Sequence, residues 1–261
     1  MLSSPCYVIS DVHVGHAPEL VERSLLGFLR NLPSQAGSLL INGDLFEFWF
    51  EWKSVVPRRG VRVLAALMDL RDAGVPMTML AGNHDCWGGD VLRDAGVKFL
   101  FGPLHGDIAG WQSRVEHGDG LREKEDRGYR LLRHVLRNRL AIRAFRSVLH
   151  PDFSSRLAMG SSQTSRSYAP RDEGRGLRNV AVETLNADPS LQLLVYGHSH
   201  VAALERMPGG GVYANAGSWL DAPTYIVITP EQISLRLWDG SAEGTNLDTL
   251  ERIAEKALPK G

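Results

Sequence analysis

Two rhythms of apolar and polar positions organise this chain. The first is a set of short apolar runs, each stopping at a small or polar residue that can carry chemistry. Cys6-Tyr7-Val8-Ile9-Ser10 runs into Asp11-Val12-His13, and Ser38-Leu39-Leu40-Ile41-Asn42 into Gly43-Asp44. Met77 to Ala81 runs into Gly82-Asn83-His84-Asp85, Gln112 to Glu116 into His117-Gly118-Asp119, and Leu193 to Tyr196 into Gly197-His198-Ser199-His200. Runs of this length bounded by glycine read as buried strands. The second rhythm is helical and covers Pro18 to Leu32 and Val61 to Leu70. Strand, helix, strand, helix, strand predicts a parallel sheet with right-handed crossovers. Open sheets of that kind place ligands at the C-terminal ends of their strands. One Gly-Asn-His-Asp is ordinary turn chemistry, but five strands ending in Asp, Asn or His are not five unrelated turns.

Further strands are expected over Val97 to Phe101, Gly211 to Asn215, Thr224 to Thr229 and Ile233 to Trp238. A closing helix is expected over Asp248 to Ala257, with Asp248 at its N-cap. His105-Gly106-Asp107, between Pro103 and Gly110, reads as a connecting turn.

Residues 121–180 differ from the rest. They hold 14 Lys or Arg against 6 Asp or Glu, a net of +8, so with a total of −1 the remaining chain carries −9. Tyr129, Leu131, Leu132, Val135 and Leu136 fall on one side of a predicted helix, opposite Arg127, Arg130, Arg133, His134 and Arg137. A second helix is expected over Leu140 to Leu149, and an aperiodic segment over Ser154 to Gly176. The stretch reads as a basic helical insertion, a lid within a single domain of residues 1–261. Such a lid suits a phosphorylated substrate or anionic headgroups, or is simply a solvated basic face.

Composition otherwise narrows little. At 43% hydrophobic and 23% charged, nothing global points to nucleic acid. The two cysteines, Cys6 and Cys86, suit a reducing compartment. With no signal-peptide pattern and no apolar run of membrane-spanning length, the chain reads as soluble and cytoplasmic.

Collected, the strand ends supply Asp11, His13, Asp44, Asn83, His117, His198 and His200. Seven donors are too many for one open site and suit two divalent ions sharing a carboxylate. Mixed N and O donors without thiolate favour Mn, Fe or Zn over Ca. Two ions about 3.5–4 Å apart would clamp the attacking and leaving oxygens of a phosphoryl displacement. The aromatic run Leu45 to Trp52, which includes Phe46, Phe48, Trp49 and Trp52, is expected to line a pocket wall beside them.

Asp-x-His, Gly-Asp, Gly-Asn-His-Asp, His-Gly-Asp and Gly-His-x-His in this order, over residues 11–200, resemble the calcineurin-like metallophosphoesterases. The resemblance implies an α/β fold, a four-layer αββα sandwich of two mixed sheets. It implies one metal on Asp11, His13 and His200, a second on Asn83, His117 and His198, and Asp44 bridging. Asn83 and His84 would meet the substrate phosphate, with His84 protonating the leaving group and Asp85 orienting it. Gly43 to Trp49 and His117 to Leu121 are similar, more narrowly, to the UDP-2,3-diacylglucosamine pyrophosphohydrolases of lipid A synthesis, commonly manganese enzymes. Those yield lipid X and UMP at the membrane surface, so the resemblance implies a glycolipid substrate and peripheral contact with the inner membrane. It also carries substrate contacts onto Asp126, Ser165 and Arg166. One departure is His84, which stands where the best-known branch has Arg.

Three other readings stay open. A soluble phosphodiesterase or nucleotide pyrophosphatase would make good use of His84. A nuclease would use the basic insertion, but the arginines lack an aromatic stacking series. A non-enzymatic scaffold is disfavoured because all seven ligand positions are filled.

Overall fold

The alternation in Cys6-Tyr7-Val8-Ile9 is between two apolar faces, because the strand is covered on both sides. Tyr7 and Ile9 join one core, and Cys6 and Val8 another. The computed structural model describes residues 1–253 apart from Lys53, 124–125, Leu149 and 151–171. Strands β1 (Cys6–Ile9), β2 (Ser38–Asn42), β3 (Met77–Leu80) and β4 (Val97–Leu100) run parallel. Helices α1 (Glu19–Asn31) and α2 (Val61–Asp72) make the crossovers, and a short α3 (Asp90–Asp94) precedes β4.

A second sheet is built from β5 (Leu104–Ile108), β6 (Trp111–Val115), β7 (Leu193–Tyr196), β8 (Ala203–Arg206) and β9 (Val212–Asn215), in the order β5-β6-β7-β9-β8. Antiparallel β10 (Thr224–Ile228), β11 (Gln232–Leu237) and β12 (Thr245–Glu251) complete the first sheet, in the order β12-β11-β10-β1-β2-β3-β4. Helices α4 (Arg127–Leu136), α5 (Arg139–Val148) and α6 (Arg175–Ala187) lie between β6 and β7.

Three apolar clusters define the layers. Leu25, Phe28 and Leu29 of α1 and Val63 and Leu67 of α2 pack on Tyr7, Ile9, Leu39 and Ile41. Val8, Leu40 and Ile226 of the first sheet meet Trp111, Val115, Val195 and Ala214 of the second. Leu177, Ala181 and Leu185 of α6 cover the far face over Leu194, Tyr196 and Tyr213. The fold is therefore α/β, with two mixed sheets face to face and helices outside both. Truncating a fully buried Leu of these layers to Ala would cost about 2–5 kcal/mol.

Two expectations fail. Asp248 caps no helix: it pairs with Leu235 as part of edge strand β12. Residues 254–257 of the expected helix lie outside the described residues. The unpaired edge of β11 offers a full row of backbone partners, and that outweighs the helical spacing of Leu250 and Ile253. His105-Gly106-Asp107 is not a turn but the middle of β5, paired with Gln112 to Arg114 of β6.

Candidate metal centre

The ends of β1, β2 and β3 meet the ends of β6 and β7 at one place. Just past β1, the N–H of Asp11 bonds Gly43 O at 3.2 Å and that of His13 bonds Asp44 O at 3.0 Å, which locks the first two strand ends together. The second sheet is joined through Asp11, whose carboxylate accepts the His198 N–H at 3.1 Å. His117 Nδ1 donates to Asn42 O at 2.7 Å, across the two sheets. Gly82 is required here: a Cβ on it would collide with the Asp44 carboxylate.

Backbone strain concentrates on the same residues. Asp11, His13, Asp44, His198 and His200 all have φ between 52° and 63°. They are five of the seven non-glycine residues with positive φ among the described residues, so the left-handed region, costly for such side chains, is used mainly here.

Three sets of donor atoms result, each within 4.8 Å: Asp11, His13 and His200; His13, Asp44 and His84; Asp44, His117 and His198. His13 Nε2 lies 3.2 Å from His200 Nε2, which in turn is 3.4 Å from Asp11 Oδ1. His117 Nε2 lies 3.2 Å from Asp44 Oδ2. Asn83 Oδ1 sits 3.0 Å from His198 Nδ1 and 3.3 Å from His117 Nε2. Asp11, His13, Asp44 and His117 form a buried floor, while Asn83, His84, His198 and His200 are partly open to solvent.

The electrostatics fit cations. Burial would raise the Asp44 carboxyl, but the imidazoles of His117, His84 and His13 hold it well below the usual carboxylate range. Burial works to lower His117, yet the Asp44 carboxylate holds it well above the usual imidazole value. His198 is pushed down to about 4 by burial and by His117, so its ring is ready to offer a lone pair. Two buried carboxylates among convergent imidazoles, with no thiol among them, form a donor set suited to two divalent ions of the Mn, Fe or Zn type.

The structure brings all seven predicted ligands and His84 together and redistributes the other predicted residues. His84 Nδ1 meets Glu47 O at 3.2 Å, and the Asp85 carboxylate accepts the backbone N–H groups of Gly82 (3.0 Å), Asp44 (3.2 Å) and Phe46 (3.2 Å). It ties the loop after β2 to the loop after β3, and burial together with Asp44 pushes its carboxyl up to about 7. Phe46 and Trp49 are fully buried, with rings stacked 4.3 Å apart against Gly60, so they support the wall from behind and present no surface to a substrate. The part of that run that meets the insertion is a different aromatic group, in which buried Phe50 packs against half-buried Trp52, Trp87 and Phe145 of α5.

Helix α4 of the insertion docks through a mixed polar face rather than through the apolar side that its spacing defines. Buried Asp119, two residues past His117, accepts the Tyr129 hydroxyl at 2.6 Å, and Arg137 lies 3.5 Å away. Arg133 donates to the Asp119 carbonyl at 3.2 Å. Satisfying that carboxylate turns Tyr129, Arg133 and Arg137 inward and leaves Leu131, Leu132 and Val135 exposed, along with Arg127 and Arg130. Asp126, at the N-cap position of α4, has its carboxylate occupied by Arg122 at 2.8 Å. Ser165 and Arg166 lie outside the described residues. Sequence reasoning did not single out Glu47, whose carboxylate accepts His13 Nδ1–H at 3.0 Å. Its signal was an acid, one of two with Glu51, inside an aromatic run.

Comparison with known proteins gives a consistent picture. Residues 4–202 match the family model for calcineurin-like phosphoesterases. The UDP-2,3-diacylglucosamine hydrolase of Porphyromonas gingivalis is 29% identical over 92% of this chain and 96% of its own length. That of Stutzerimonas stutzeri is 30% identical over 81% of this chain and 90% of its own, and that of Salmonella typhi 27% over 87% and 96%.

Proposed function

The chain belongs to the calcineurin-like phosphoesterase family and is a metal-dependent hydrolase, and on that premise we propose that it cleaves the phosphoanhydride of UDP-2,3-diacylglucosamine to UMP and lipid X. The observation that carries this reading is the row of overlapping donor sets with Asp44 common to two of them. In it, Asp11, His13 and His200 would hold one divalent ion, Asn83, His117 and His198 would hold the other, and Asp44 would be shared by both. Manganese is the proposed metal. When bound, two such ions supply a nucleophile from water at neutral pH and neutralise phosphate charge.

The chain's own groups do the rest. Asn42 fixes the His117 ring through Nδ1, so its Nε2 stays aimed at Asp44. His84 donates Nδ1–H to Glu47 O at 3.2 Å, which leaves Nε2, 4.0 Å from Asp44, as the atom that meets a phosphate oxygen or passes a proton to the leaving group. Exposed Leu131, Leu132, Val135 and Leu140 beside exposed Arg130 and Arg143 support contact with acyl chains and an anionic inner-membrane surface, from the cytoplasmic side. No helix among the described residues is long and apolar enough to cross a membrane.

A second reading, a phosphodiesterase or nucleotide pyrophosphatase for water-soluble substrates, is favoured by His84, since an alkoxide leaving group gains most from a proton donor. UMP release from UDP-2,3-diacylglucosamine and from UDP-glucosamine, with Mn²⁺, separates the two. Under the lipid reading kcat/KM favours the acylated substrate by about 100-fold, which needs only about four buried CH₂ groups at ~0.8 kcal/mol each. Equal values would remove the lipid reading and leave the second.

A further inference from the structure

Glu47 lies three residues past Asp44, between Phe46 and Phe48, and its side chain is only 4% exposed. A carboxylate in such a place is costly unless hydrogen bonds hold it. Two imidazoles face it. Oε2 accepts Nδ1–H of His13 at 3.0 Å, and Oε1 lies 3.9 Å from Nδ1 of His84. The backbone carbonyl of the same residue accepts Nδ1–H of His84 at 3.2 Å. The two rings meet edge to face, with centroids 4.9 Å apart and planes at 88°.

An ionised carboxylate and a carbonyl can only accept. Both rings therefore carry a proton on Nδ1 and turn Nε2 to the centre, where His13 Nε2 reaches His200 and His84 Nε2 faces Asp44. Glu47 is itself fixed, since its N–H donates to Val14 O at 3.0 Å and that of Val14 to Leu45 O at 2.9 Å. The carboxylate of Asp85, the nearer residue in sequence, accepts three backbone N–H groups instead.

We propose that Glu47 is a positioning residue for the centre: its side chain sets the tautomer and aim of the metal-ligating His13, and its main chain sets those of His84. The role rests on the metal centre proposed above. Outer partners of ligating histidines typically matter at about the 10- to 100-fold level in metal affinity.

The test begins with metal-free wild type labelled with ¹⁵N-histidine, at a pH where the rings are neutral. Long-range ¹H–¹⁵N correlation, assigned with His13→Gln and His84→Gln, should show both rings protonated on Nδ1. A His13 or His84 ring protonated on Nε2 overturns the proposal. Mn²⁺ affinity is then measured by competition with a chelator for wild type, Glu47→Ala and Glu47→Gln. Glu47→Ala should weaken one ion by about 10- to 100-fold and leave the other nearly unchanged. Glu47→Gln, whose amide oxygen still accepts from Nδ1, should recover most of that loss. Equal affinity for wild type and Glu47→Ala, or no recovery in Glu47→Gln, contradicts the role. Should Glu47→Ala fail to fold, the wild-type tautomers and Glu47→Gln, held to within about 10-fold of wild type, still decide. Wild type binding fewer than two ions would count against the metal centre itself, while the tautomers would still decide the role of Glu47.

Discussion

Asp44 Oδ2 lies 3.2 Å from His117 Nε2, while the other oxygen of the same carboxylate accepts the His84 backbone N–H at 2.9 Å. One side chain thus spans the second sheet's histidine and the loop that carries His84. Loss of an outer partner costs about 10- to 100-fold, so loss of the group proposed to be shared by both ion positions should exceed that. Asp44→Ala is expected to lose more than about 100-fold in turnover and to retain at most one ion per chain, by activity assay and elemental analysis of the folded variant.

His84 gives a graded test. Its Nε2 faces Asp44 at 4.0 Å. If it protonates the leaving group, His84→Ala should slow phosphodiesters more as the leaving group becomes more basic, by about 10²- to 10⁴-fold for an alkoxide. A loss of equal size across leaving groups would indicate phosphate positioning instead, the task an arginine performs by charge.

Asp85 carries a pH signature in the metal-free protein. Burial and the nearby Asp44 raise its carboxyl to about 7 from an ordinary 3.8. A raised carboxyl contributes stability that is complete below about pH 3.8 and is lost as pH rises through about 7. Asp85→Asn cannot ionise, so it removes this slope while adding a constant offset from altered contacts with the three N–H donors. The melting temperature of wild type minus that of Asp85→Asn should therefore fall steadily between about pH 4 and 7. A difference that stays flat across that window would contradict the assignment.

The convergence of the seven donor residues was legible in sequence because they follow parallel strands, and strand register carries five separate segments to one edge. What surrounds them was not. Glu47 lies among aromatics whose facing depends on contacts with Val14 and Asp85 that only the fold creates. Asp85 was expected to serve its neighbour His84, but three backbone N–H groups from two loops compete for it and win. The amphipathic spacing of α4 was correctly helical, yet periodicity alone cannot say which side docks. Buried Asp119 decides that, by drawing Tyr129, Arg133 and Arg137 inward.

That latch can be loosened selectively. Tyr129→Phe removes a hydrogen bond to a buried carboxylate, worth about 1.5–3 kcal/mol, from a helix held mainly by such contacts. Local opening of α4 should rise by about 10- to 100-fold, read as amide exchange across residues 127–136. Exchange in β1 and β2 should hardly change. Equal acceleration in the core strands would mean that Tyr129 supports the whole fold rather than the docking of α4.

The central claim is that two divalent ions share Asp44, and equilibrium titration of metal-free protein with Mn²⁺, read by both bound metal and hydrolysis rate, tests it most directly. Binding should saturate at two ions per chain, with activity appearing only as the second is filled. Saturation at one ion, with full activity already reached, would contradict it.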